Sequence, residues 1–423
     1  MTRHPGIGRY RWVVLTAATF TQAASGFFVQ GIGAMGVHLR HDLDLSAAQL
    51  GLLLSAAQLA PLAGLLVAGE LLDRHDERWV VGAGAGVVAV SLAVGSLAPG
   101  YAALLLVLLV VGAGYSTVQP GGSKSVASWF DPSRRGLAMG VRQAGLPLGG
   151  VLAAAVLPAL AASAGWRATL VAGAAVAFLG AITFTAFCRR PPLPLTGIPT
   201  EAEASTGAQA DGRLRLLREP AMVRILVSRT SLVAAHSGIG VLTVLHLHET
   251  ASLAPGTAAL VFVAVQAAGA AGRICLAAWS DRGRSGASDG HRRSGRYAWV
   301  LVCLVAVVVG LVALATPAGR SPVAAPLLFV WLGFFGIGWY GPWVAHLAES
   351  APPGRTGFAL GSAMAVNQVA IILTPPALGL LKDVFHGFAP AWGLLAALSA
   401  TALALTVRTP GTRPARRHFR DMS

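Results

Sequence analysis

Apolar runs of about 20 residues or more, each closed by a short polar turn, follow one another along almost the whole chain. A helix needs roughly 20 apolar residues to cross the hydrocarbon core of a bilayer. Lipid offers no partners to backbone N–H and C=O groups, so these runs must be helical. Twelve are counted, over about 12–37, 48–71, 79–97, 101–127, 137–161, 166–188, 221–247, 255–279, 297–315, 324–347, 358–381 and 391–407. The first is too long for the apolar core of a signal peptide and no clear cleavage site follows it, so it is read as a membrane helix.

The longest polar interruption begins Arg189-Arg190-Pro191 and continues through a polar, Pro-rich stretch without apolar periodicity, the composition of a linker. It divides six spans from six. The expected organisation is a first half over 1–188, a linker over 189–219, a second half over 220–409 and a short basic tail over 410–423. Two echoes tie the halves together. Asp73-Arg74, straight after the second span, returns 208 residues later as Asp281-Arg282 after the eighth, and Gly136-x-x-x-Gly140 opening the fifth span returns as Gly357-x-x-x-Gly361 opening the eleventh. The chain reads as two copies of one unit.

Composition agrees: 55% of residues are hydrophobic and 12% charged, against roughly a quarter charged in soluble proteins. The net charge of +15 is spread through short loops, not gathered into the patch or stripe of a nucleic-acid binder. With the N-terminus inside, 23 basic residues fall in inside segments and 4 in outside ones, which predicts both termini in the cytoplasm and a multi-pass protein of the inner (plasma) membrane.

Gly69-x-Leu71-x-Asp73-Arg74, between the second and third spans, resembles the signature loop of the major facilitator superfamily of secondary transporters. That family usually has Gly and a basic residue where this chain has Asp76 and Glu77. The resemblance therefore implies a cytoplasmic gating role for Gly69, Asp73 and Arg74, and through the repeat for Asp281 and Arg282. It also implies an all-α polytopic fold of twelve transmembrane helices in two six-helix halves that rock about a midplane site. Gly145-Leu146-Pro147-Leu148-Gly149-Gly150 resembles the antiporter motif of drug exporters with its Pro displaced by one position, and Leu108 stands where proton-coupled members commonly carry Arg.

Ionisable groups at membrane depth are functional candidates by default. Lys124, Arg142, Arg224, Arg229 and Arg273 lie inside apolar spans, all in the fourth, fifth, seventh and eighth; the third, sixth, ninth and twelfth carry no ionisable interior group except thiols, as peripheral helices should. Seven-residue spacing, about 20° from eclipsed, aligns Arg229, His236 and Thr243 on one face and Gln266 with Arg273 on another. Gln22 and Gln30, Gln119, Gln143, Tyr340, Asn367 and Gln368 supply further polar positions for a central cavity. Lys124, Arg142 and Arg273 lie nearer the cytoplasmic ends, where they could snorkel or pair with Asp73, Asp281, Glu70 or Glu349; gate and substrate roles both stand open for them. Arg224 reads as an anchor.

Enzymatic chemistry is not expected. Gly121-Gly122-Ser123-Lys124 has Ser where a phosphate loop requires Gly before Lys. His246-x-His248-Glu249 sits at an outer helix end, Cys188, Cys275 and Cys303 lack ligand spacing, and neither a metal nor a cofactor is implied. Several cations and no deep carboxylate predict a small organic anion, such as a carboxylate, as substrate. A proton would travel on His236 or with the substrate. A drug or metabolite efflux antiporter and a non-transporting membrane solute sensor are the alternatives.

Overall fold

The computed structural model describes residues 5–32, 39, 42–45, 47–131, 133–191, 220–282, 289–350 and 356–408. Most of the expected linker and the tail after 408 lie outside the described residues. The elements are helices: α1 Pro5–Gly31, α2 Ala47–Arg74, α3 Glu77–Gly95, α4 Tyr101–Tyr115, α5 Val118–Trp129, α6 Arg135–Phe187, α7 Pro220–Glu249, α8 Pro255–Arg282, α9 Asp289–Leu314, α10 Ala324–Gly336, α11 Tyr340–Ser350, α12 Thr356–Phe385 and α13 Ala389–Arg408.

Eleven helical stretches among the described residues are long and apolar enough to span a bilayer. One of them, α6, holds two of the expected spans in 53 residues, joined at Gly165, whose φ of 78° only glycine adopts readily. Twelve spans result, as the hydropathy pattern predicts.

Two spans are broken where the sequence suggests continuous helices. The fourth divides into α4 and α5 at Ser116 and Thr117, whose hydroxyls turn back to Ala113 O (2.6 Å) and Gly114 O (3.1 Å). Such bonds compete with the helical ladder. The tenth divides into α10 and α11 across Ile337-Gly338-Trp339. Both breaks lie against the central polar cluster.

Two apolar cores hold the bundle, one spreading over the second half and the charged-loop end of the first, the other filling the opposite end of the first half. The two halves meet through α2 with α12, α6 with α8 and α11, and α5 with α11 and α12. The outward faces of α3, α9, α13 and the second part of α6 present exposed Val, Leu and Phe, including Val90, Phe178, Val309 and Leu405. That is the surface a bilayer wets.

Candidate functional site

Three arginines from two halves converge on Tyr340, the first residue of α11. Arg229 of α7 donates from Nη2 to the Tyr340 hydroxyl at 3.0 Å. Its guanidinium lies on the face of Trp343, 3.3 Å from the ring centroid, with the rings of Tyr340 and Trp339 at 4.9 and 5.6 Å. A desolvated cation–π contact contributes about 2 kcal/mol, and the fixed rings hold the side chain in one pose. The Tyr340 hydroxyl donates onward to Gln119 Oε1 of α5 at 3.4 Å, carrying the chain of bonds into the first half.

There it meets Arg142 of α6, whose Nη2 faces Gln22 Oε1 (2.9 Å) and the carbonyls of Val118 and Gln119 (both 2.8 Å). Gln22 in turn donates to the Tyr115 hydroxyl at 3.4 Å. This close approach to the backbone of α5 depends on Gly122, where a Cβ would stand 2.7 Å from Nε and Nη2 of Arg142. Arg273 of α8 donates from Nη1 to Gln143 O across the interface at 2.7 Å and from Nε to Ile337 O at 3.2 Å, within the break between α10 and α11. Its guanidinium stands 5.4 Å from the Tyr340 ring.

These cations are deeply enclosed: Arg142, Arg229 and Arg273 expose 0, 1 and 2% of their surface. Every hydrogen-bond partner named above is a neutral carbonyl, amide or hydroxyl. An enclosed cation without a counter-charge costs several kcal/mol, on the order of that found for each ion of a buried pair, and dipoles and aromatic faces offset part of it. Donor capacity is also left over. Among the described residues, Nε and Nη1 of both Arg142 and Arg229 are buried without an acceptor, and both amide atoms of Gln143 and, elsewhere, on α12, of Asn367 are buried without a partner. The arrangement suits a ligand that brings negative charge and further polar groups.

A second constellation closes the charged-loop end. Asp73, at the end of α2, accepts from the backbone N–H groups of Gly357 and Phe358 at the start of α12, both at 2.8 Å. Asp281, at the end of α8, accepts from Gly136 and Leu137 at the start of α6, at 3.0 and 2.7 Å. Helix N-termini present unpaired N–H groups and a positive dipole end, so each carboxylate is a charged cap on a helix of the other half. Gly69 permits the approach of α2 to α12, since a Cβ there would meet Gly357 O at 2.8 Å.

Cations back both carboxylates. Lys124 lies 3.5 Å from Asp73 and 3.3 Å from Glu77 and donates to Leu72 O. Arg296, fully buried, bridges Asp281 (2.8 Å) and Glu349 (3.2 Å), and Arg135 approaches Glu349 at 3.8 Å from the other half. Arg74 instead pairs with Glu70 on its own helix, and Arg282 is exposed. In the repeated Asp-Arg pair it is the aspartate that bridges the halves.

Other sequence candidates are distributed around these two groups. Gln368 reaches across to α2, donating to Gln58 O at 2.8 Å and Gln58 Oε1 at 3.0 Å. His236 and Gln266 are half-buried, and Gln30 is exposed. Thr243 bonds back to Ile239 O within α7. Lys124 joins the aspartate-cap constellation, whereas Arg142 and Arg273 meet carbonyls and a glutamine in place of the loop acids the sequence offered them. The side chain of Arg224 lies outside the described residues. Sequence reasoning passed over Trp343 and Tyr115, which carry no charge, and Arg135 and Arg296, which it counted only as loop cations. For Trp343, its position three residues beyond Tyr340 was the available signal.

The sequence profile of the Major Facilitator Superfamily matches residues 18–375. The chain belongs to the major facilitator superfamily. It is 26% identical over 406 residues to an uncharacterised MFS-type transporter of Mycobacterium tuberculosis, spanning 96% of this chain and 86% of the relative. A probable L-galactonate transporter of Escherichia coli is 29% identical over 161 residues, 38% of this chain and 36% of that protein. Among solved structures, the proton:xylose symporter XylE superposes with a TM-score of 0.75 at 14% identity, covering 94% of this chain and 95% of that one. As a superfamily member, the protein is a multi-pass membrane transporter.

Proposed function

We propose that this superfamily member carries a small organic anion, a carboxylate bearing hydroxyl groups, between the two sides of the membrane by alternating access. The observation behind this reading is the enclosure of Arg142, Arg229 and Arg273 among hydrogen-bond partners that, within the described residues, are all neutral. Coulomb attraction in the low-dielectric interior favours an anion there, and guanidinium groups match carboxylate geometry. The side-chain amide of Gln143, beside Arg142 in the chain and without a hydrogen-bond partner among the described residues, offers a donor and an acceptor, the complement of a hydroxyl. L-Galactonate, the substrate named for the partial relative, is a hydroxylated carboxylate.

In this reading the charged-loop end is the cytoplasmic side of the inner membrane, with both termini in the cytoplasm, and the two aspartate caps hold that side shut while the site faces outward. A proton accompanies transport, carried by His236 or by the substrate itself. Flux in proteoliposomes, screened across hydroxylated carboxylates and lipophilic cations, tests the assignment. Carboxylate flux with co-movement of protons supports it. Flux of lipophilic cations alone would replace it with the drug-export reading, and carboxylate binding without flux would indicate a solute sensor.

A further inference from the structure

We propose that an anionic phospholipid occupies the groove between α1 and the end of α6, with its acyl chain along the apolar wall and its phosphate held by Arg9 and Arg189. The groove encloses about 460 Å³, and its walls include Trp12, Val13, Thr16 and Phe20 from α1 and Thr183 and Phe187 from α6. Apart from the indole N–H of Trp12 and the two threonines, whose hydroxyls can bond their own helix as Thr183 does to Leu179 O at 2.7 Å, its lining is hydrocarbon. It faces outward on the membrane-spanning surface, so lipid chains are its available occupants. Headgroup preference then depends on the rim.

That rim is cationic at the charged-loop end. Residues 9, 13, 16 and 20 follow the three-and-four spacing of one helix face, so Arg9 continues the groove-lining row of α1 by one turn. Arg189 follows Phe187 just beyond the end of α6. Both arginines are exposed. The Tyr10 hydroxyl donates to Phe187 O at 2.8 Å and Trp129 Nε1 donates to Arg189 O at 2.6 Å, which fixes the two walls together at the head of the groove. Tyr10 and Trp129 stack with centroids 5.2 Å apart, aromatic groups of the kind that settle at a membrane–water boundary.

The neighbouring charges leave this rim positive. Of the acids near this corner, Asp76 and Glu77 face Arg190 at 3.5 Å each, and Asp131 follows Phe130 just beyond the end of α5, fewer than the five arginines at positions 9, 11, 78, 189 and 190. Arg11 is turned onto the rings of Trp12 and Phe130, at 5.6 and 5.7 Å. Arg78 donates to Thr185 O. Among the described residues, Arg9 and Arg189 are thus exposed arginines of this corner without an ion pair, above a groove shaped for a chain. Basic residues at a membrane surface favour anionic lipids, and a fixed apolar slot beneath them converts that general attraction into a seated lipid.

Native mass spectrometry of the full-length protein, released from nanodiscs containing equal phosphatidylglycerol and phosphatidylcholine, tests the site. Wild-type protein is expected to retain phosphatidylglycerol preferentially. Arg9→Gln with Arg189→Gln should reduce that preference roughly thirtyfold without changing the unfolding temperature, because both side chains are exposed. Thr16→Trp, which fills the groove and leaves the arginines in place, should reduce retention of both lipids. Equal retention of the two lipids by wild type would overturn the proposal, as would an unaltered preference in the double glutamine variant or undiminished retention in Thr16→Trp.

Discussion

Asp73 and Asp281 act reciprocally: each ends a helix in its own half and caps the first N–H groups of a helix in the other. The repeat places the pair, and the result is a closed end held by four charge-assisted bonds at two helix N-termini. Such bonds depend on the register of one half against the other, so rocking the halves apart at this end must break all four together.

Asp73→Asn should bias the protein toward opening at the charged-loop end. Asparagine keeps one acceptor oxygen and places an NH₂ beside the second N–H donor. Hydrogen bonds to a charged group contribute about 1.5–3 kcal/mol, so losing one shifts the equilibrium about tenfold or more. Spin labels at His75 and Arg282, both exposed on opposite halves, report the change by pulsed dipolar spectroscopy as a longer distance population. An unaltered distribution would refute the gating role of this carboxylate.

A wedge should act in the same direction without touching any charge. A Cβ on Gly140 would stand 2.3 Å from Arg273 O, a backbone atom that cannot rotate away. Gly140→Ala therefore forces α6 and α8 apart at their closest approach. The same spin-label pair should lengthen. An unaltered distance distribution would mean that the helices absorb the methyl group elsewhere.

Arg296→Met should destabilise the fold strongly. Its guanidinium joins Asp281 and Glu349 with no exposed surface, and breaking a buried pair by removing one partner costs about 3–5 kcal/mol because the remaining charges stay enclosed. Thermal unfolding in detergent should show a marked fall in midpoint. A double variant that also carries Glu349→Gln should recover part of it, and no recovery would mean that packing, not charge, is what the methionine disrupts.

The twelve spans, their division into two halves and the family were legible because lipid imposes one rule everywhere: an apolar run long enough to cross must be a helix. Arg142 and Arg229 stood out for the same reason, as charges inside such runs. Arg296 did not, because it lies at the edge of an apolar run where a cation ordinarily meets water, and its burial arises only when Asp281, Glu349 and Arg135 fold against it. The breaks at Ser116-Thr117 and Ile337-Trp339 left only a faint trace, the polar residues Ser116, Thr117 and Gln119 and the glycines and proline around Trp339, which a reading of whole spans does not resolve into a break. Trp343 carries no charge, so its place against Arg229 emerges only from the turn between α10 and α11.

Tyr340→Phe removes the hydroxyl that accepts from Arg229 and donates to Gln119. The ring still packs against Trp339 and Trp343, so the fold should persist. A buried Arg229 donor then loses its acceptor, at a cost of about 1–3 kcal/mol, and a bound carboxylate becomes the replacement acceptor. Affinity for the anion in a direct binding assay should rise while maximal flux falls, because the bridge between the halves through Gln119 is lost. Parallel falls in affinity and flux would instead place the hydroxyl among the groups that hold the substrate.

Replacing Arg229 separates charge from geometry. Arg229→Ala removes the cation and should abolish saturable carboxylate flux. Arg229→Lys keeps a positive charge but loses the planar face stacked 3.3 Å from the Trp343 centroid and the fork that meets a carboxylate with two bonds. The lost stacking and second hydrogen bond together are worth about 2 kcal/mol or more, so affinity should fall by at least roughly tenfold while some flux remains. Trp343→Leu supplies the control, since it keeps the guanidinium and removes only the ring that holds it; its affinity should lie between wild type and Arg229→Lys. If Arg229→Lys transported the carboxylate with wild-type affinity, charge alone would suffice and the aromatic face would be packing only. If Arg229→Ala also did so, this arginine would have no part in binding, and Arg142 and Arg273 would remain as the cations to test.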